Sequence, residues 1–206
     1  SWFPDAKLNF AENLLRRLDD EIALVGLLEN GERKTLSYAQ LHGEVAALAA
    51  ALRSFGVCPG DRVGGFLPNI PETIVAMLAA STLGAIWSSC SPDFGVRGVL
   101  DRFDRLEPKL LLCCDGYAYG GKRIEVEPAG VAAYSHPRTA EILEALAKTT
   151  ASAPQVVMVP FLDPDATTEV LPQAVRWDDF LKQGEGVPPD LTPAPFGQPH
   201  YIMFSS

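Results

Sequence analysis

Histidine, cysteine and cations are all scarce in this sequence: 206 residues carry three His, four Cys and 17 Lys plus Arg, against 26 Asp plus Glu. A formal charge of −9 repels a phosphate backbone, so no nucleic-acid partner is expected. His42, His136 and His200 stand far apart with no H-x-x-x-H or H-E-x-x-H spacing, and no protein metal site is expected. Cys58, Cys90, Cys113 and Cys114 form no C-x-x-C pair, and two are adjacent inside an apolar run. They read as buried thiols of a reducing, cytoplasmic compartment, not as a disulfide framework. A basic segment followed by an apolar stretch does not open the chain, so no signal peptide is expected. Repeats and low-complexity tracts are missing, and neither Gly64-Gly65 nor Gly95-x-x-Gly98 makes the dinucleotide-binding fingerprint. Thr73 to Pro92 is uncharged and near the length of a bilayer span, but Ser81, Thr82, Gly84, Ser88, Ser89 and Ser91 divide it into two short elements. No membrane span is expected.

What is present is enough apolar material for a core: 47% hydrophobic against 21% charged residues. The length suits one domain, or at most one and a half, at roughly 150 residues each. Asn9 with Glu12 reads as a capping box ahead of Leu14, Leu15 and Leu18. Ile22 to Leu28 and Arg33 to Leu36 read as a hairpin around Asn30-Gly31, with both turn residues at positive φ. Ser37 with Gln40 opens a helix whose Leu41, Val45, Leu48 and Leu52 share one face. Arg62 to Leu67 is a strand, and Asn69 with Glu72 is a third box with Pro71 in the first turn. That helix runs to Leu83 and yields a strand over Ala85 to Ser88. Val96 to Arg105, Arg138 to Lys148 and Trp177 to Lys182 read as helices, and Leu110 to Cys114 and Gln155 to Val159 as strands. Five of the thirteen residues from 187 to 199 are proline, which makes an extended connector. Tyr201 to Phe204 reads as a last strand. Apolar strands between amphipathic helices predict an α/β fold, a mostly parallel sheet with helices on both faces, whose ligands sit beyond the carboxyl ends of the strands.

Three stretches at those ends could carry chemistry. Gly116, four residues, then Gly121-Lys122 matches the opening of a P-loop, but Arg123 stands where a Ser or Thr is required and no helix start follows. What survives is a Gly-rich turn with two cations, which from its residues alone reads first as an ordinary solvated turn and second as an anion-binding loop. Ser205 and Ser206 after the last strand could begin a phosphate-binding loop or a bland one. Ser88 to Gly95 could form a polar pocket wall. There Asp93 reads as a helix cap, and Cys90 has no identifiable base to make it a nucleophile.

Taken together, Thr35-Leu36-Ser37-Tyr38, Gly56-Val57-Cys58-Pro59-Gly60-Asp61-Arg62-Val63 and Asn69-Ile70-Pro71-Glu72 resemble the adenylate-forming enzymes, the superfamily of acyl-CoA synthetases, luciferases and peptide-synthetase adenylation domains. The run from Trp2 to Leu15 and the run from Gly84 to Gly95 resemble that superfamily's acetoacetyl-CoA synthetase branch. The resemblance implies that residues 1–206 are part of the family's large N-terminal domain, with 1–20 the end of its preceding segment. It implies ATP, Mg2+ and CoA as cofactors and acetoacetate as the acid, joined through an acyl-adenylate. It implies that Tyr119, Gly121, Lys122 and Arg123 contact CoA, which favours the anion-binding reading of that turn. It further implies that Ser205 and Ser206 open the loop gripping the ATP phosphates, with both serines expected at the same rim of the sheet as Lys122. The family's catalytic lysine belongs to a C-terminal domain that would follow Ser206, so no catalytic residue is expected here and the 206 residues alone are expected to be inactive. Another short-chain acyl-CoA synthetase and a non-catalytic nucleotide- or CoA-binding scaffold remain the alternatives.

Overall fold

The computed structural model describes residues 2–124, 137–149, 153–168, 171 and 174–204. A two-residue strand β1 (Lys7–Leu8) precedes the short helix α1 (Phe10–Leu14), capped by the Asn9 carboxamide oxygen on the amides of Ala11 and Glu12. The Asn9 amide nitrogen also donates to Ser81 O, Thr82 O and Thr192 O at 3.3, 3.0 and 2.9 Å. β2 (Ile22–Leu27) and β3 (Arg33–Ser37) form an antiparallel hairpin. Its loop is not the two-residue turn read from Asn30-Gly31: Gly31 alone takes a positive φ (85°), and its amide donates to Leu28 O. A type I turn closed by a left-handed glycine fits the strand twist equally well.

Helix α2 (Tyr38–Ser54) starts on a complete capping box between Ser37 and Gln40, and buries Leu41, Val45, Leu48 and Leu52. β4 (Arg62–Phe66) leads into α3 (Pro71–Thr82), and here the sequence reading is corrected: Ile70 is the N-cap, without a side-chain bond, and Asn69 and Glu72 make no box. Pro71 at the first helical position fixes the start one residue later than the box requires, and Glu72 pairs instead with Lys34. β5 (Ile86–Cys90) extends two residues past the expected end at Ser88. The N-cap of α4 (Val96–Leu106) is Gly95, so Asp93 is not its cap. Then come β6 (Leu110–Cys114), the hairpin β7 (Tyr117–Tyr119) and β8 (Lys122–Ile124), α5 (Pro137–Thr149), β9 (Gln155–Val159), β10 (Ala174–Arg176), α6 (Trp177–Lys182) and β11 (Ala194–Pro195). The proline-rich connector thus holds a short strand, β11, which pairs with β1.

The central sheet is five parallel strands in the order β10-β9-β6-β4-β5. Alternation along β6 divides the core: Leu110, Leu112 and Cys114 pack with α1, α2, α3 and α6, whereas Leu111 packs with α4 and α5. Cys113 falls on the face opposite Cys114, so the adjacent thiols belong to different cores. All four cysteines are free, Cys58 exposed and the other three buried. Among the described residues no helix is long and apolar enough to cross a membrane.

Tyr201 to Phe204 does not form the expected strand. Tyr201 makes one parallel bridge to Trp87, the Trp87 amide donates to His200 O, and the Ile202 amide donates to Trp87 O. The segment runs beside β5 in the same direction as the other strands, so it leads toward the sheet's carboxyl rim.

Candidate functional site at the carboxyl rim of the sheet

Parallel pairing puts the ends of β4, β5, β6 and β9 at one rim, where unpaired backbone and loop side chains are free to face a ligand. The loop after β6 is the hairpin β7–β8. Gly120 and Gly121 take φ of +59° and +73°, the pair of left-handed residues a two-residue type I′ turn demands. This explains both glycines without a ligand, and β8 follows Lys122 where a P-loop would place a helix. The register sets Tyr119 opposite Lys122 and Ala118 opposite Arg123. Tyr119, Gly121 and Lys122 are exposed, and Lys122 has no ion pair among the described residues. The Gly121 amide donates to Glu29 Oε2 across 3.1 Å, which ties the tip of this hairpin to the loop of β2–β3. Ser205 and Ser206 lie outside the described residues.

The hairpin is anchored by a residue the sequence reading passed over. Asp115, directly after β6 and only 5% exposed, accepts hydrogen bonds from the amides of Phe161, Leu162 and Asp163 at 2.7 to 3.0 Å. Three amides converging on one buried carboxylate lock the loop after β9 against the loop after β6. An acid placed straight after a fully apolar strand is a signal that could have found it. Between the two hairpins lies a cavity of about 540 Å³, bounded by Leu28, Glu29, Asn69, Ala118, Phe161 and Leu162.

Around β5 the hydroxyl-rich stretch is divided. Ser88 is buried and donates to Ile202 O at 2.8 Å, which pins the chain segment approaching the rim, whereas Ser89 and Ser91 are exposed. Cys90 is buried, and burial pushes its thiol up to about 11 despite the opposing charge of Arg102, which leaves almost no thiolate near neutrality. Cys114 is pushed to about 12 by burial, and Cys113 well above its ordinary value. Arg102 lies over the Phe94 ring at 4.6 Å and the Phe204 ring at 5.8 Å, joining α4 to the final segment.

The histidines are dispersed: His200 stacks between Phe10 and Tyr201, with ring centroids 4.3 and 4.2 Å away, while His136 lies outside the described residues. Burial lowers the His200 pKa, which keeps the ring neutral as a packing element. No three His, Cys, Asp or Glu among the described residues come together as metal ligands.

Residues 10–206 match the family model described as AMP-binding enzyme. The chain is 42% identical over 205 residues to an acetoacetyl-coenzyme A synthetase of Rhizobium meliloti (strain 1021), covering 100% of this chain and 29% of that protein. It is 40% identical over 213 residues to the acetoacetyl-CoA synthetase of Xenopus tropicalis, again over 100% of this chain and 30% of the relative. In structure it superposes on an acetoacetyl-CoA synthetase from Streptomyces lividans with a TM-score of 0.84 at 38% identity, over 100% of this chain and 29% of that one. The chain therefore spans about 30% of the length of the relatives it matches.

Proposed function

The chain belongs to the family of AMP-binding enzymes, and on that premise we propose that its residues form the CoA-facing part of the large domain of an acetoacetate–CoA ligase. The observation that carries the reading is that the acetoacetyl-CoA synthetases align with the whole chain, not with one motif. In the proposed reaction a carboxylate oxygen of acetoacetate attacks the α-phosphorus of ATP and pyrophosphate leaves, giving acetoacetyl-adenylate. The CoA thiol, losing its proton, then attacks the activated carbonyl carbon, and AMP departs with the acyl oxygen. Each step needs phosphate charge neutralised and two reactants held in line.

Lys122 and Arg123 supply cations to the phosphates of CoA, while Tyr119 and the Gly121 turn hold them at the rim. Ser205 and Ser206 begin the loop that takes the ATP phosphates. The segment that leads to them, Tyr201 to Phe204, runs toward the rim that also bears the Lys122 hairpin, three strand positions away from β6. At the usual strand spacing that is about 14 Å, a distance a CoA or ATP molecule spans. Mg2+ enters as the partner of ATP. None of the chain's residues is assigned to the reacting atoms. Four free cysteines support a cytoplasmic location. The test is calorimetric titration of the chain with CoA. Binding that weakens about three- to tenfold in Lys122→Ala and in Arg123→Ala supports the reading, and absence of binding by the unaltered chain overturns it.

A further inference from the structure

The Gly121 amide occupies the position an anion would choose, and an anion is already there. It stands at the tip of the β7–β8 turn, exposed, next to Lys122, and its hydrogen points at Glu29 Oε2, 3.1 Å away. Outward-facing amides of a tight turn beside a cation make a small concave site for negative charge. Glu29 reaches it from a loop 92 residues away in sequence, presented by the three-residue turn that Gly31 closes. Glu29 is exposed, so water or a ligand can take its place at little cost in packing. Its carboxylate also reduces the positive potential that Lys122 offers to an incoming phosphate.

We propose that Glu29 is an internal competitor at this hairpin: its carboxylate sits in the phosphate position at the Gly121 amide and a phosphate-bearing ligand binds by displacing it. The proposal rests on the hairpin being the CoA contact. A resident carboxylate lowers the affinity of every anion that must displace it by the cost of breaking the Glu29–Gly121 contact, and its charge opposes a phosphate approaching Lys122. Glu32, on the same hairpin, is the natural comparison, because its carboxylate accepts from Asn30 and makes no bond to Gly121.

The experiment is titration with CoA of the unaltered chain, Glu29→Gln, Glu32→Gln and Lys122→Ala, each first shown to retain its thermal transition. The expected result is a Glu29→Gln variant that binds CoA about two- to fivefold more tightly, the size of an exposed charged contact, with Glu32→Gln within twofold of the unaltered chain. Glu29→Gln binding no better while Lys122→Ala binds worse overturns the proposal and leaves the CoA reading standing. Equal gains in Glu29→Gln and Glu32→Gln overturn it in favour of general electrostatics. No binding by any variant, Glu29→Gln included, overturns both.

Discussion

The two rims of the five-stranded sheet hold similar polar groups and use them differently. At the amino rim two cations are closed within the protein: Lys109 Nζ meets Asp61 Oδ2 at 2.8 Å and Gly56 O at 2.5 Å, and Arg62 bonds Leu106 O and Glu107 O at 2.8 and 3.0 Å. These contacts tie the loop before β4 to the end of α4 and the start of β6. At the carboxyl rim the buried Asp115 accepts from three backbone amides, yet Lys122 beyond it has no ion pair among the described residues. The difference lies in the cations: those of the amino rim are bound within the protein, and Lys122 at the tip of the hairpin is not paired to any described acid.

The largest effect that could break this comparison is loss of Asp115. Asp115→Ala leaves three amides without their acceptor, and the chain is expected to lose about 3 kcal/mol in a urea denaturation. A loss below about 1 kcal/mol would mean the latch is no firmer than an exposed contact. The amino rim should respond less. Lys109→Met removes a half-exposed pair, and about 0.5–1 kcal/mol should go, with CoA binding unchanged. Burial draws the Asp61 carboxyl upward, but the Lys109 hydrogen bond, the Cys58 amide and the charges of Lys109 and Arg62 outweigh it and hold the carboxyl below its ordinary value. A depressed carboxyl contributes stability above its unfolded pKa and loses it as the pH falls through the folded one. Lys109→Met should therefore flatten the acid side of the stability curve below about pH 4. A curve of unchanged slope there would remove Asp61 from the account. Smallest of all is the effect of a thiol reagent. Cys58 is exposed while burial raises Cys90, Cys113 and Cys114, so native chain at pH 8 should take up one alkyl group and keep its thermal transition. Rapid uptake of a second group would place Cys90 closer to solvent than the fold does.

Much of the scaffold could be read from residue order because its causes are local. The Ser37–Gln40 box, the four-three-four spacing from Leu41 to Leu52, and the apolar runs Leu110–Cys114 and Gln155–Val159 each fix an element from within a few residues. Misreadings arose where two local rules compete. Pro71 overrides the Asn69 cap, and Gly95, in extended conformation, takes the cap position from Asp93. The last strand fails for another reason: a segment with only β5 beside it makes one bridge and is then held by side chains, Ser88 and Arg102. Of the site, the cations of the hairpin were visible in the sequence. Glu29 was not, because nothing near it in the chain announces a contact with Gly121. Asp115 could be suspected from its neighbours, but not its three partners.

Asn9 carries a consequence for how the molecule comes apart. A single carboxamide stitches the amino-terminal strap, the end of α3 and the connector at Thr192, while β1 and β11 zip the same two straps together. Loss of the Asn9 carboxamide therefore loosens both straps at once, and Asn9→Ala should speed proteolysis in each.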